Sequence, residues 1–154
     1  MIYTDLTKKC MQIAYDAHFG QVDRGNTPYI CHPLHVADQM TTEIRTATAL
    51  LHDVIEDTEE TAQSLIRQGI PEAVVNNVLL LTRDINEDYA SYIERIAGSD
   101  NMDVILVKFA DLCHNLDMTR TSDQTLPDYL LNRYIAAKKR LLEVIPQEEE
   151  KTVG

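Results

Sequence analysis

Apolar residues recur at three- and four-residue steps along most of this chain, which is the spacing of one face of an α-helix. In the first such segment the recurring positions are Leu6, Cys10, Ile13, Ala14 and Ala17. Glycines and prolines fall mostly between the periodic segments, and no stretch of any length alternates with the two-residue period of a strand. The pattern predicts an all-α fold, a single bundle of about eight helices that includes a long one from about Leu126 to Val144.

The length of the chain sets the expected domain organisation. With 154 residues it is long enough for one domain with a buried core. We expect residues 1–145 to form that domain. The remaining segment, PQEEEKTVG (146–154), is rich in charge and is predicted to be a disordered tail.

The charge of the chain argues against two classes of partner. It has 14 basic and 25 acidic side chains, for a net charge of −11. A protein this acidic repels the backbone of nucleic acids and anionic membranes, so we expect neither as a partner. Any phosphate group that it binds needs local basic residues or a metal ion. A small molecule is therefore the expected ligand, and the oligomeric state is left open.

Cysteine spacing and the N-terminal segment indicate a compartment. The three cysteines show no paired spacing, so we interpret them as free thiols in a reducing environment. The start, MIYTDLTKK, lacks the basic-then-apolar pattern of a signal peptide. No apolar run approaches the ~18–20 residues of a membrane span. The predicted location is the cytoplasm.

Four ionisable side chains interrupt the apolar pattern in LLHDVIEDT, residues 50–58. On a helix, His52 and Glu56 lie four residues apart, as do Asp53 and Asp57, so each pair shares a face. An imidazole nitrogen beside a carboxylate oxygen suits Mn²⁺, Fe²⁺, Zn²⁺ or Mg²⁺. Such a cation also relieves the repulsion among these acids. The alternative is an ordinary solvated helix face, because a lone His-Asp dipeptide is a weak signal.

Two further segments, YICHPLH and VKFADLCHN, offer more ligands. The candidates that they add are His32, His35, Asp111, His114 and Asn115. Asp111 follows an apolar run, as Asp53 does, which indicates a position at the edge of the core. His35 lies one helical turn beyond His32 and is the weaker candidate. The set His32, His52, Asp53 and Asp111 predicts a metal site that leaves room for water.

Three segments together resemble a known family. AYDAHFGQVDRGNTPYICHPLHVA, ALLHDVIEDTEET and VKFADLCHN are similar, in order and spacing, to the hydrolase domain of the RelA/SpoT alarmone enzymes. They resemble more closely the stand-alone small alarmone hydrolases of the HD superfamily. The resemblance covers roughly residues 5–140. It implies an all-helical HD-type phosphohydrolase domain that uses Mn²⁺ to remove pyrophosphate from the 3′ position of ppGpp or pppGpp.

The resemblance also implies roles for individual residues. By position, the metal ligands of the family fall on His32, His52, Asp53 and Asp111. The two catalytic acids fall on Glu56 and Asp57, and an asparagine near the nucleotide falls on Asn115. A divalent metal lowers the pKa of its bound water. We therefore expect Glu56 or Asp57 to orient that water or to accept its proton.

Substrate contacts are expected from basic and aromatic residues near these segments. Arg24, Lys108 and Arg120 are candidates to offset charge on the phosphoryl oxygens. Tyr29 either flanks a base or simply packs, since an amphipathic tyrosine suits both roles. The long enzymes of the family carry an RKSG-type element before PY, whereas Asp23 stands here at the arginine position and Arg24 at the lysine position.

Three functional hypotheses follow. The first is a Mn²⁺-dependent (p)ppGpp 3′-pyrophosphohydrolase. The second is an HD phosphohydrolase that acts on another nucleotide, and the acidic residue Asp23 in the presumed substrate loop keeps it open. The third is a non-catalytic nucleotide-binding module, which the presence of every expected ligand and acid disfavours.

Overall fold

The computed structural model describes residues 1–120, 126–151 and 153. Over these ranges the chain forms ten α-helices, one 3₁₀ turn and an isolated bridge between Val22 and Pro28. The helices are α1 Asp5–Ala17, α2 Cys31–Asp38, α3 Glu43–Leu51, α4 Val54–Asp57, α5 Ala62–Arg67, α6 Glu72–Leu81, α7 Tyr89–Ala97, α8 Met102–Asn115, α9 Asp128–Leu142 and α10 Gln147–Glu150. The 3₁₀ turn is Met118–Arg120. The predicted all-α bundle is confirmed.

Helix α8 lies at the centre of the bundle. It packs against α2, α3, α6, α7 and α9, while α1 and α2 pack on α3. Its buried apolar side chains are Val104, Ile105, Leu106, Val107, Phe109, Ala110 and Leu112. A helix that is apolar around most of its circumference belongs in the interior of a fold. Asp111 is carried into the interior with them, and its side chain is only 4 % exposed.

Polar caps set the start of the two helices that lead to the ionisable cluster. Thr42 Oγ1 accepts a hydrogen bond from the Arg45 amide at the start of α3, at 3.2 Å. Asn101 Oδ1 accepts from the Val104 amide at the start of α8, at 3.3 Å. These bonds satisfy amides that have no partner within the helix. Because the caps fix where the two helices begin, packing of their apolar faces places the C-terminal ends of α3 and α8 in the same region.

The helix expected through residues 50–58 is divided in two. Helix α3 ends at Leu51, α4 begins at Val54, and His52 and Asp53 form the turn between them. The Asp57 amide still donates to the Asp53 carbonyl, at 2.9 Å, so the spacing of the acids stays helical. This division, together with the short α10, brings the count above the predicted eight.

The C-terminal segment differs from the predicted disordered tail. Residues Gln147–Glu150 form α10, and Arg45 Nη1 donates to Glu149 Oε2 at 3.0 Å. Val153 is buried against the core. The prediction of disorder is thus corrected for the described part of this segment, and residues 152 and 154 lie outside it. The predicted long C-terminal helix is present as α9, which begins just after Pro127.

The described helices include none that is both long enough and apolar enough to span a bilayer.

Candidate metal centre and adjoining cavity

Four ionisable side chains from three parts of the chain meet at one point. His32 Nε2 lies 2.9 Å from Asp111 Oδ1, and His52 Nε2 lies 3.0 Å from Asp53 Oδ2. The crossed pairs, His32 with Asp53 and His52 with Asp111, are both separated by 3.7 Å. The structure therefore brings together the four residues that the sequence predicted as metal ligands.

Local structure explains how each ligand reaches this point. His32 lies in the first turn of α2, just before Pro33, and its side chain is buried. His52 and Asp53 occupy the turn between α3 and α4, where the end of α3 directs them inward. Asp111 lies near the end of the central helix α8. Three segments that are distant in sequence thus supply two nitrogen and two oxygen donors.

A hydrogen bond from Nδ1 of His52, on the side of the ring away from the cluster, leaves Nε2 free to bind a metal ion. His52 Nδ1 donates to the Ala49 carbonyl at 2.6 Å, because a carbonyl can only accept. In the neutral ring the lone pair is then on Nε2, which points into the cluster. Nε2 is buried and makes no hydrogen bond to the described part of the chain. A buried nitrogen of this kind, facing two carboxylates, fits a divalent cation.

The charge balance of the cluster also fits a cation. Burial raises the pKa of Asp111, but Lys108 and the neighbouring histidines outweigh burial and hold it well below its usual value. Burial lowers the pKa of His52, but the Asp53 and Asp111 carboxylates outweigh that effect and hold it well above the usual value. Both carboxylates are therefore ionised at neutral pH. They draw positive charge to Nε2, either a proton or a metal ion that displaces it.

Three residues predicted as substrate contacts donate hydrogen bonds to the two carboxylates of the cluster. Tyr29 Oη donates to Asp53 Oδ2 at 2.5 Å. Lys108 Nζ donates to Asp111 Oδ2 at 2.7 Å, and Asn115 Nδ2 donates to Asp111 Oδ1 at 2.9 Å. Outer partners of this kind fix the orientation of ligating carboxylates. Lys108 is also held beneath two aromatic rings, with Nζ 5.2 Å from the Tyr92 centroid.

His114, a candidate ligand from the sequence, lies behind His32. The two Nδ1 atoms are 2.6 Å apart and the rings stack at 4.9 Å. His35 stacks on the other side of His114, with centroids 3.9 Å apart. Burial, then Arg120 and the two neighbouring imidazoles, lower the pKa of His114 to about 3. A neutral His114 can accept from His32 Nδ1–H, which leaves His32 Nε2 for the cluster.

The two predicted catalytic acids lie beside the cluster. Carboxylate oxygens of Asp53, Glu56 and Asp57 all lie within 4.8 Å of one another. Glu56 Oε1 accepts from the Arg83 amide at 2.7 Å, which fixes one of its oxygens. Burial, followed by the charges of Asp53 and Glu56, raises the pKa of Asp57 to about 6. A carboxylate with a raised pKa is a better proton acceptor than an ordinary one.

A cavity of about 390 Å³ opens from this cluster. Its walls include the five predicted substrate residues, Arg24, Tyr29, Lys108, Asn115 and Arg120, and both predicted catalytic acids.

Arg120 is engaged in an ion pair within the protein. Its Nη2 lies 3.1 Å from Asp23 Oδ2, and its Nη1 donates to the His114 carbonyl at 2.9 Å. Asp23 Oδ1 accepts from the amides of Gly25 and Thr27 and closes the loop. A Cβ on Gly25 would lie 2.0 Å from the Arg120 carbonyl oxygen, so glycine permits this approach. Arg120 is thus an ion-pair partner of the loop that Asp23 closes.

Sequence reasoning missed several residues on the cavity walls. Arg83 and Arg133 line it, as do Tyr89 and Tyr134. Arg83 lies in the loop between α6 and α7, where the sequence shows no local pattern. Arg133 carried one weak signal, because none of its neighbours at three or four residues along α9 is acidic.

No family model matches the chain. It is similar to the bifunctional (p)ppGpp synthase/hydrolase SpoT of Escherichia coli (strain K12), with 37% identity over 128 residues, covering 75% of this chain and 18% of that protein. It is also similar to the guanosine-3′,5′-bis(diphosphate) 3′-pyrophosphohydrolase of Borreliella burgdorferi, with 26% identity over 151 residues, covering 86% of this chain and 22% of that protein. The chain spans about a fifth of the length of these relatives.

A solved structure is similar over nearly the whole chain. It is described as a metazoan ortholog of SpoT that hydrolyzes ppGpp and plays a role in starvation responses. The TM-score is 0.81 at 23% identity, and the match covers 99% of this chain and 93% of the other. At this identity the likeness shows a shared fold.

Proposed function

We propose that this chain, which carries a RelA/SpoT-type HD hydrolase domain, removes the 3′-pyrophosphate from (p)ppGpp. One observation carries the proposal. The His32, His52, Asp53 and Asp111 cluster lies at the base of a cavity whose walls hold two further carboxylates and several arginines. A cation site next to proton acceptors and anion-binding side chains is suited to hydrolysis of a phosphate ester.

We propose Mn²⁺ as the cofactor, held by His32, His52, Asp53 and Asp111. Two imidazole nitrogens and two carboxylate oxygens suit Mn²⁺, although other divalent cations accept the same donors. When bound, such a cation supplies Lewis-acid stabilisation of phosphoryl oxygens and lowers the pKa of water. Tyr29, Lys108 and Asn115 keep the two carboxylates in position for it.

The chain itself supplies the proton acceptor. Asp57, or Glu56 beside it, takes a proton from the attacking water, whose oxygen bonds to the phosphorus next to the ribose. The bond between that phosphorus and the 3′ oxygen breaks, and the 3′ oxygen leaves with a proton. The products are pyrophosphate and guanosine 5′-diphosphate from ppGpp. Asp57 is favoured for this role because its pKa is raised to about 6 by burial and neighbouring charges, and because one Glu56 oxygen is occupied by the Arg83 amide.

Arg24 is the proposed substrate contact among the residues predicted for that role. Its side chain is exposed on the cavity wall and forms no ion pair with any described residue. Tyr29, Lys108 and Asn115 are proposed to act through the ligands that they hold. We place the activity in the cytoplasm, where a nucleotide substrate is available and the free thiols Cys10, Cys31 and Cys113 suit a reducing environment.

The test is to incubate the purified protein with Mn²⁺ and a panel of nucleotides that includes ppGpp, and to measure the products by anion-exchange chromatography. We expect equimolar pyrophosphate and guanosine 5′-diphosphate from ppGpp, abolished by a chelator and restored by added Mn²⁺. An Asp53→Ala preparation controls for contaminating hydrolases. Cleavage of another nucleotide with none of ppGpp would refute the proposal.

One observation favours a second candidate, a phosphohydrolase of the same class with a different nucleotide. The ion pair between Asp23 and Arg120 neutralises a position on the substrate loop. A substrate with fewer phosphate groups needs fewer cations there. The same panel decides, because each nucleotide is compared by its kcat/KM.

A further inference from the structure

The arginines of this protein divide into two groups. Four of them, Arg45, Arg95, Arg120 and Arg140, form ion pairs with carboxylates. The other four, Arg24, Arg67, Arg83 and Arg133, have no carboxylate within ion-pair distance among the described residues. In a chain with a net charge of −11, an arginine without an acidic partner is unexpected. Three of these four line the same cavity, and Arg67 is exposed elsewhere, on α5.

Arg83 and Arg133 gather around one aromatic ring. The guanidinium carbon of Arg133 lies 4.8 Å from the Tyr89 centroid, and that of Arg83 lies 5.6 Å from it. Both side chains are half-buried, so they have lost part of their hydration. Attraction to the ring holds the two cations in place. Neither guanidinium donates a hydrogen bond to a described residue, and both line the cavity.

The two arginines lie close to the candidate metal centre without belonging to it. Lys108 Nζ is 5.9 Å from the same Tyr89 centroid and 2.7 Å from Asp111. The Arg83 amide donates to Glu56, one of the proposed catalytic acids. An anion bound by Arg83 and Arg133 would thus be separated by a single side chain from a phosphate that reacts at the candidate metal centre. Guanidinium groups bind phosphate oxygens in a bidentate way, and two of them match a diphosphate.

We propose that Arg83 and Arg133 form an anion subsite around Tyr89 that binds the 5′-phosphate groups of the nucleotide, which hydrolysis leaves in place. This inference rests on the proposed function, because it assigns to these residues the phosphates that are not cleaved. It also fits the pairing of Asp23 with Arg120, which neutralises one cation on the cavity wall. Where Asp23 neutralises Arg120, positive charge is supplied instead from α9 and from the loop after α6.

Binding measurements test the subsite without catalysis. We would titrate the Mn²⁺-loaded protein with guanosine, guanosine 5′-monophosphate and guanosine 5′-diphosphate by isothermal calorimetry. We expect the diphosphate to bind at least about tenfold more tightly than guanosine, with the monophosphate between them. In Arg83→Gln/Arg133→Gln this preference should fall to less than about threefold. Equal affinity of the wild type for all three ligands would overturn the proposal.

Arg67→Gln is the matched control, because it removes an unpaired arginine that is exposed outside the cavity. It should keep the full preference for the diphosphate. A loss of preference as large as that in the double variant would show a general charge effect and would also overturn the proposal. Circular dichroism melts of all variants establish that the fold is retained. Single variants Arg83→Gln and Arg133→Gln replace the double variant if the latter does not fold.

Kinetics separate this proposal from the proposed function. The substrates are guanosine 3′-diphosphates with a 5′-diphosphate or a 5′-hydroxyl group. The double variant should raise KM for the first about tenfold or more and leave KM for the second unchanged, with kcat within about threefold. An equal rise for both would refute the subsite. If the wild type cleaves neither, the proposed function fails, and the preference measured by calorimetry decides the subsite independently.

Discussion

The inner and outer parts of the cavity differ in how their charged side chains are held. At the inner end, Asp53 and Asp111 each accept a hydrogen bond from a further side chain, and His52 is held by a backbone carbonyl. On the outer wall, Arg24, Arg83 and Arg133 have no acidic partner among the described residues. The inner end is arranged before any ligand binds, whereas the outer wall keeps positive charge for one. The chemistry is therefore expected to be less tolerant of substitution than recognition.

The largest effect is expected from loss of an inner ligand. Asp53→Ala removes one carboxylate of the cluster, so we expect turnover to fall to the level of a blank and Mn²⁺ binding to be lost. Because a ligand that binds the folded state stabilises it, Mn²⁺ should raise the Tm of the wild type and leave that of Asp53→Ala unchanged. Calorimetric melts with and without Mn²⁺ check this independently of activity.

Glu59→Ala serves as the control for that experiment. Glu59 is exposed, lies just beyond the acids, and its side chain forms no hydrogen bond or ion pair with the described residues. It should keep both turnover and the Mn²⁺-dependent rise in Tm. Near-normal turnover in Asp53→Ala would show that the inner end is not the metal centre.

The next largest effect concerns the proton acceptor. Asp57→Asn should retain Mn²⁺ binding and lower kcat by about 10²- to 10⁴-fold, the usual contribution of general base catalysis. Glu56→Gln should have a smaller effect, because one Glu56 oxygen is already occupied by the Arg83 amide. Metal affinity measured by titration separates the roles, since lost Mn²⁺ binding in either variant would identify that acid as a ligand.

The pH profile tests the same assignment. Burial and the charges of Asp53 and Glu56 raise the pKa of Asp57 to about 6. A base is active when deprotonated, so kcat/KM should fall tenfold per pH unit as the pH drops below about 6 and level off above it. A metal ion nearby would move this limb to lower pH. The limb should be absent from the residual activity of Asp57→Asn, and its persistence there would assign it to another group.

The contrast between the inner end and the outer wall of the cavity also explains what could be predicted from the sequence. The meeting of His32, His52, Asp53 and Asp111 could be anticipated because Asp53 and Asp111 each follow an apolar run, which indicates a position at the edge of the core. The all-α fold was likewise predictable, because the apolar residues recur with the period of a helix. The break at His52 and Asp53 was not predictable, since the apolar pattern continues across it.

The residues of the outer wall were harder to predict from the sequence. Arg83 and Arg133 come from separate segments and meet at Tyr89 only through packing of the helices. The pairing of Asp23 with Arg120 joins residues that are far apart in the chain, and no local spacing in the sequence predicts it. Tyr29 and Asn115 line the cavity, but their contacts with Asp53 and Asp111 depend on side-chain directions. Tertiary contacts of this kind are not encoded in a local pattern.

A moderate effect is expected where the inner end is supported from outside. Tyr29→Phe removes the hydroxyl that donates to Asp53 Oδ2 and keeps the ring that packs on His18, at 4.8 Å between centroids. Partners of metal ligands typically contribute 10- to 100-fold to metal affinity, so we expect a loss of about tenfold. Mn²⁺ titration measures it. Unchanged affinity would show that the hydroxyl does not position Asp53.

The smallest effect is expected on the outer wall, at the ion pair between Asp23 and Arg120. Their side chains are 13 % and 18 % exposed, so the pair is partly solvated and its coupling energy should be about 1 kcal/mol or less. Asp23→Asn, Arg120→Gln and the double variant form a cycle that isolates this coupling by urea unfolding. Metal affinity should be unchanged in all three, because neither residue contacts a ligand. Asparagine keeps an Oδ1 acceptor for the Gly25 and Thr27 amides, so the loop that carries Arg24 stays closed in Asp23→Asn, and KM should change by no more than a few-fold at constant kcat. A fall in kcat as large as that of Asp57→Asn would show that the outer wall takes part in the chemistry, and the contrast between the two ends would no longer hold.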